Sequence, residues 1–308
     1  MQINRFLIMK DSLLRIGGRN VLNLDVIRKG TIMIDRACIS INNRCNLACE
    51  YCHFHEKAAS IKESDMDVLV ILDNILDHIK KYSIPIFKIG FVGNGEPFLD
   101  YDVLKASILH ISDSLDCGRI KAYTITNGTC INEEMLRFCK EHNVNIGFSI
   151  DGPRAIHNKY RCDSFDRVMK SIELYRSVNE RYPSLNCTVG KEALADPEQI
   201  VEFFKPFGSR ITFSRMIGKL GVSLTDFRSF IEMVQAELDV RTGGFDCTMY
   251  GGMCGAGINN VFYANNRIYI CGNCIDLESL PYDTPLDQIW FSVKEFDRHN
   301  CYKESIWK

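Results

Sequence analysis

Cys45, Cys49 and Cys52 stand at a C-x3-C-x2-C spacing in the run Arg-Cys-Asn-Leu-Ala-Cys-Glu-Tyr-Cys-His. Three thiolates this close form a metal site, and two chemistries compete for it. As zinc ligands they need a fourth group, which His53 or His55 can supply, and the site is then closed. As ligands of a cubane iron–sulfur cluster they hold three irons and leave the fourth open. An open metal position is where chemistry happens. Buried structural cysteines are not expected at this spacing beside polar Arg44, Asn46 and Glu50. A second group lies further on: Cys247-x6-Cys254-x16-Cys271-x2-Cys274, then Cys301. The remainder of the fourteen cysteines, Cys38, Cys117, Cys130, Cys139, Cys162 and Cys187, are scattered singly and read as small buried apolar residues.

The elements that must position these groups follow from the hydrophobic pattern. β-rich runs at Thr31–Ile41, Phe87–Val92, Ile120–Thr126, Val144–Ile150, Leu185–Val189 and Arg210–Phe213 alternate with helical stretches. The clearest helix is expected over Asp65 to Lys81, with Ser64 as N-cap and Lys80 and Lys81 at its negative end. Others are expected near 101–113, 132–141, 163–178, 197–206 and 223–239. Six strands separated by helices imply parallel βαβ units, and suit an incomplete barrel better than a flat doubly wound sheet. Working groups then belong at the C-terminal ends of the strands. Those ends are unusual here. They carry the cysteine run, then Asn94-Gly95-Glu96-Pro97, then Thr126-Asn127-Gly128, then Ser149-Ile150-Asp151-Gly152-Pro153. Near 240 the chain becomes rich in glycine and cysteine, and Val261–Ala264 and Arg267–Ile270 flank Asn265-Asn266, a hairpin signal.

Composition narrows the classes. Apolar residues make up 46% of the 308 and charged ones 25%, as in an ordinary globular protein. A net charge of −2 offers no electrostatic case for nucleic acid or an anionic membrane. No apolar run is long enough to span a bilayer, and the first residues lack a signal peptide's pattern. The expected location is cytoplasmic, where clustered cysteines argue for metal rather than disulfides.

Taken together, the strand-end motifs resemble those of the radical SAM (S-adenosylmethionine) superfamily, in the branch with a C-terminal SPASM or shorter twitch extension. The resemblance covers roughly residues 32–215 and 240–275. It departs mildly at Asn94, where the family has glycine, and again at the hairpin turn, where glycine is usual and Asn266 stands. The fourth motif continues as Ile156-His157-Asn158-Lys159-Tyr160-Arg161 and favours the peptide-modifying branch.

The resemblance implies a partial (β/α)6 TIM-like barrel at 32–239, after an N-terminal extension at 1–31, and a small twitch domain of β-hairpin plus helix at 240–308. It implies that Cys45, Cys49 and Cys52 bind a [4Fe–4S] cluster whose open iron takes the amino and carboxylate groups of SAM. Gly95 and Glu96 would hold the SAM amino group, with Asn94 beside them in the cofactor site; Arg161 would pair with the carboxylate, Asn127 and Ser149 would reach the ribose or carboxylate, and Tyr51 would lie near the adenine. His157 reads as a helix-side histidine without a role. One auxiliary [4Fe–4S] cluster is implied on Cys247, Cys254 and Cys271, with Cys274 or Cys301 as fourth ligand; a small zinc site is the alternative. An electron from a donor such as flavodoxin or ferredoxin would split SAM into methionine and a 5′-deoxyadenosyl radical, which removes hydrogen from a substrate C–H bond.

Two substrate classes compete. One is a ribosomally made peptide, crosslinked or epimerised. The other is a small molecule, such as an aminocyclitol, sugar or nucleoside, that is dehydrogenated, decarboxylated or epimerised. Only about forty residues precede the first motif, which leaves little room for a leader-binding domain. The fourth motif nevertheless tips the balance to the peptide. An epimerase would need a thiol facing the barrel interior, and Cys187 on the fifth strand is the one to test. A non-catalytic protein with two metal staples is the rival from another class, and it leaves the motifs at 94–97, 126–128 and 149–161 without a purpose.

Overall fold

A computed structural model of the chain describes residues 34–52, 66–242, 256, 259–272, 278–289 and 291, together with the backbone of 13–16 and 19–22. His53, His55, Ser64, Cys247, Cys254, Cys274 and Cys301 lie outside the described residues.

An antiparallel pair, β1 (Leu13–Ile16) and β2 (Arg19–Leu22), stands apart. Among the described residues the main sheet has ten strands. Six of them, β3 (Arg36–Ile39), β4 (Phe87–Phe91), β5 (Ile120–Thr126), β6 (Asn145–Ser149), β7 (Ser184–Val189) and β8 (Ile211–Arg215), run parallel and lie side by side in chain order. That order matters. A doubly wound sheet reverses direction at a switch point and places helices on both faces. A sheet that always advances one way, with right-handed crossovers, collects its helices on one face and curls around the other.

The crossovers are α1 (Val68–Tyr82), α2 (Tyr101–Ser112), α3 (Glu133–Glu141), α4 (Arg154–Tyr160), α5 (Phe165–Asn179), α6 (Lys191–Ala195) and α7 (Pro197–Phe204), and α8 (Leu224–Val234) follows β8. In α1, Val68, Ile71, Leu72, Ile75 and Ile79 recur on one face and are buried. This helix starts later than the expected Asp65. Asp67 caps it, its carboxylate accepting from Leu69 N at 2.9 Å, because that side chain directly precedes the apolar run and reaches the free N–H groups of the first turn. The single helix expected over 163–178 is α5, preceded by a separate short α4. Cys162 and Asp163, both left-handed (φ 53° and 48°), break the path between them.

Strand alternation sorts the two faces. Ala37, Ile39, Ile89, Phe91, Ile146, Phe148, Leu185, Val189 and Phe213 are buried in one apolar core shared with the helices. The intervening Cys38, Tyr123, Ile125, Ser149, Asn186, Thr188, Thr212 and Ser214 are only partly buried and form the inner face. Cys187 is the small buried apolar residue it reads as, and not a thiol on the barrel interior. It pairs in register with Phe213, is buried in the helix-side core, and leaves the inner face to Asn186 and Thr188.

The hairpin is present: β10 (Asn260–Ala264) and β11 (Arg267–Tyr269) join through Asn265 and Asn266, both left-handed (φ 53° and 60°). This is the backbone that asparagine tolerates and most residues do not. β10 pairs parallel with β3, and β12 (Ser279–Pro281) pairs with β11. At the other edge β9 (Val240–Thr242) pairs parallel with β8. Strands on both sides of residue 240 thus belong to one hydrogen-bonded sheet.

Candidate active site

The loops leaving β3, β4, β5 and β6 meet at the C-terminal end of the sheet, and the β3 loop carries Cys45, Cys49 and Cys52. Its geometry is set by the β4 loop beneath it. Glu96 N donates to Arg44 O at 2.8 Å, and Asn42 Nδ2 donates to Glu96 O at 2.9 Å. Gly95 is the reason the two loops can touch. A Cβ there would lie 1.9 Å from Asn42 Oδ1 and 2.3 Å from Arg44 O. On the side a Cβ would take, what approaches this glycine is the cysteine loop itself.

Glu96 is 2% exposed. Oε1 accepts from Thr126 Oγ1 (2.7 Å) and Phe98 N (3.1 Å), and Oε2 from Asn127 N (2.6 Å). Burial pushes its pKa up, and these three donors pull the other way. A carboxylate offers about four lone-pair sites, so the buried brace between β4 and β5 leaves roughly one acceptor position over. Asn127 is turned toward the cysteine loop as well. Its Nδ2 donates to Asn46 Oδ1 at 2.9 Å and lies 3.7 Å from Cys45 Sγ.

The β6 loop grips the far end of the same run. Tyr51 OH donates to Asp151 Oδ2 at 2.6 Å and accepts from an Arg161 terminal nitrogen at 2.6 Å. Asp151 is fully buried; its Oδ1 accepts from Thr188 N at 2.9 Å and stands 3.7 Å from Arg161. Burial raises the Asp151 pKa, and the Arg161 guanidinium opposes the rise. Tyr51 therefore reads first as the anchor of the cysteine run. His157 has a place after all. It is fully buried, its Nδ1 accepts from Asp151 N at 3.3 Å, and its Nε2 pairs with Ser164 Oγ at 2.9 Å. Sequence reasoning also passed over Asp151, although a carboxylate between a buried isoleucine and a glycine at a strand end was the available signal.

Two buried polar atoms of the site have no partner among the described residues: Arg161 Nε and Asn94 Oδ1. Each belongs to a residue 7% exposed. A buried donor on a cation and a buried acceptor left open are costly unless a ligand meets them. One fits a carboxylate and the other an ammonium, the two charged groups of an α-amino acid such as the methionine end of SAM.

The cysteines are half-buried and free, and each of Cys45 and Cys49 feels the charge of its neighbours in the run. Burial pushes both thiols up, Cys49 to about 12. Iron would have to displace those protons, since the ligating form is the thiolate. Among the described residues no three His, Cys, Asp or Glu side chains converge as a single ion requires. A cluster asks less, because its cysteines attach to different irons. Of the auxiliary ligand set only Cys271, just after β11, is among the described residues. Ser149 ends β6 on the inner face.

The radical SAM superfamily profile matches residues 39–204, more than half of the chain. A cysteine-type anaerobic sulfatase-maturating enzyme of Clostridium novyi (strain NT) is 31% identical over 173 residues, 53% of this chain and 46% of that protein. A serine-type anaerobic sulfatase-maturating enzyme of Bacteroides thetaiotaomicron is 28% identical over 225 residues, 67% of this chain and 54% of that protein. The chain spans about half the length of these curated relatives. Among solved structures, native anSMEcpe with bound AdoMet superposes with a TM-score of 0.65 at 20% identity, covering 89% of this chain and 84% of that one. Streptococcus suis SuiB bound to its precursor peptide SuiA gives 0.68 at 16% identity, covering 88% and 68%. At these identities the likeness is one of fold: the α/β partial TIM-like barrel that one-way strand order builds.

Proposed function

Because the chain belongs to the radical SAM superfamily, we propose that it is an enzyme that removes a hydrogen atom from a polypeptide substrate. When bound, a [4Fe–4S] cluster and SAM supply the one-electron chemistry of that superfamily. Cys45, Cys49 and Cys52 hold the cluster. Arg161 pairs with the SAM carboxylate, and Asn94, Gly95 and the remaining acceptor of Glu96 face its ammonium. Asn127 and Ser149 lie toward the ribose, and Tyr51 toward the adenine. The observation that carries this reading is the pair of orphaned buried atoms, Arg161 Nε and Asn94 Oδ1, in loops that brace the cysteine run.

Residues 32–239 form the barrel in this proposal, and 240–308 a twitch unit carrying an auxiliary cluster on Cys247, Cys254, Cys271 and either Cys274 or Cys301. A polypeptide is favoured because the relatives are named for maturing sulfatases, which are proteins. The inner face supports it. Ser149, Asn186, Thr188, Thr212 and Ser214 offer neutral hydroxyl and amide groups suited to a peptide backbone. An electron donor of flavodoxin or ferredoxin type and a cytoplasmic setting complete the reading; no helix among the described residues is long and apolar enough to cross a membrane.

The test is anaerobic reconstitution of the full chain with iron and sulfide, followed by dithionite and SAM. Formation of 5′-deoxyadenosine, lost in a folded Cys45→Ala variant, is the expected result; none from the wild type would overturn the proposal. Deuterium passing from labelled synthetic peptides into 5′-deoxyadenosine supports the substrate class. Transfer from cyclitols or sugars alone would move it to small molecules.

A further inference from the structure

Asn94, where the family has glycine, and Asn265, the residue before Asn266 in the hairpin turn, are joined by a third asparagine. Asn94 Nδ2 donates to Asn43 Oδ1 at 2.8 Å, and Asn43 Nδ2 donates to Asn265 Oδ1 at 2.8 Å. Asn43 lies two residues before Cys45, Asn94 beside Gly95, and Asn265 in the turn between β10 and β11. The row therefore links the cysteine loop, the β4 loop and the hairpin.

An amide has one acceptor end and one donor end, so each link orients the next. Asn265 presents its oxygen to Asn43. Asn43 then presents oxygen to the Asn94 NH₂, and Asn94 is left with its oxygen outward. That oxygen is the buried acceptor with no partner. The backbone holds both ends still: Asn94 N donates to Ser40 Oγ at 2.8 Å, and Asn265 sits in the left-handed region that few residues occupy. In the absence of this row the Asn94 amide could flip and offer its NH₂, which repels a cation.

We infer that Asn43 and Asn265 are positioning residues that lock Asn94 Oδ1 as acceptor for the ammonium of bound SAM, so that the hairpin turn contributes to cofactor affinity. This rests on the cofactor reading above. Hydrogen bonds from charged donors are the stronger class, and loss of a preoriented acceptor is worth about a tenfold change in affinity.

The experiment measures SAM binding to the reconstituted full chain by equilibrium dialysis, with iron content and the thermal melt as controls. Asn265→Gly keeps the turn backbone but removes the amide, and Asn94→Gly restores the family residue. Both are expected to weaken SAM binding about tenfold at unchanged iron content. Asn265→Asp keeps an acceptor for Asn43 and is expected to stay within about twofold of wild type. Hydrogen exchange gives a second readout. SAM should slow amide exchange across 260–269 in the wild type but not in Asn43→Ala. Equal SAM affinity in wild type and both glycine variants would overturn the relay and leave the cofactor reading intact. A reconstituted wild type that binds no SAM would remove both.

Discussion

At the residue scale the site is a set of buried polar groups that each hold another in place. His157 shows how such a group expresses itself in stability. Burial, with the Arg161 guanidinium adding to it, pulls its pKa down to about 3. An unfolded imidazole titrates near 6.5, so above that pH neither state carries the proton and the stabilisation is complete. Below about 6.5 the unfolded chain takes up a proton that the folded one refuses, and stability falls as pH drops toward 3. Unfolding free energies from denaturant titrations between pH 7 and 5 should therefore decline with a slope approaching one proton, about 1.4 kcal/mol per pH unit. His157→Gln keeps an acceptor for Asp151 N and should flatten that slope by the same amount. Parallel slopes in the two proteins would show that His157 is not the group responsible.

At the scale of elements, loops rather than helices or strands carry the candidate chemistry, and loop-to-loop contact shapes them. Gly95→Ala tests this. Its Cβ would collide with the Arg44 carbonyl, which is backbone and cannot swing aside. The β3 loop should lift from the β4 loop, and iron uptake on reconstitution should drop severalfold while the far-ultraviolet spectrum stays native. Full iron loading in Gly95→Ala would mean that the loops need not touch. The β4 loop was legible as a motif in the sequence; its partner was not, because a glycine's neighbour is fixed by the path of a distant segment. The break between α4 and α5 escaped for a local reason. Cys162 and Asp163 are not residues that announce a left-handed turn as glycine does.

At the scale of the whole molecule, the ten described strands of the main sheet make one hydrogen-bonded surface, and the hairpin extends it beyond β3 rather than hanging from it. Amides of Val261 and Tyr263 should then exchange by the same opening as those of β3 and β4 in native-state hydrogen exchange. Fast exchange of β10 and β11 while β3 remains protected would show that the hairpin opens as a separate unit. One-way winding also leaves a polar inner face, which a doubly wound sheet would have covered with helices.

Spacing and periodicity in the chain alone determined the cysteine triad, the six parallel strands and the motifs at their ends, because these depend on neighbours a few residues apart. The tertiary structure decided which groups face each other. It put Cys187 into the core by strand alternation and brought His157 beneath Asp151. It also spent most of Glu96 on Thr126, Phe98 and Asn127, and joined Asn43 to Asn265, 222 residues further along the chain. Those outcomes depend on contacts between segments far apart in the chain, where only the folded path determines which donor meets which acceptor.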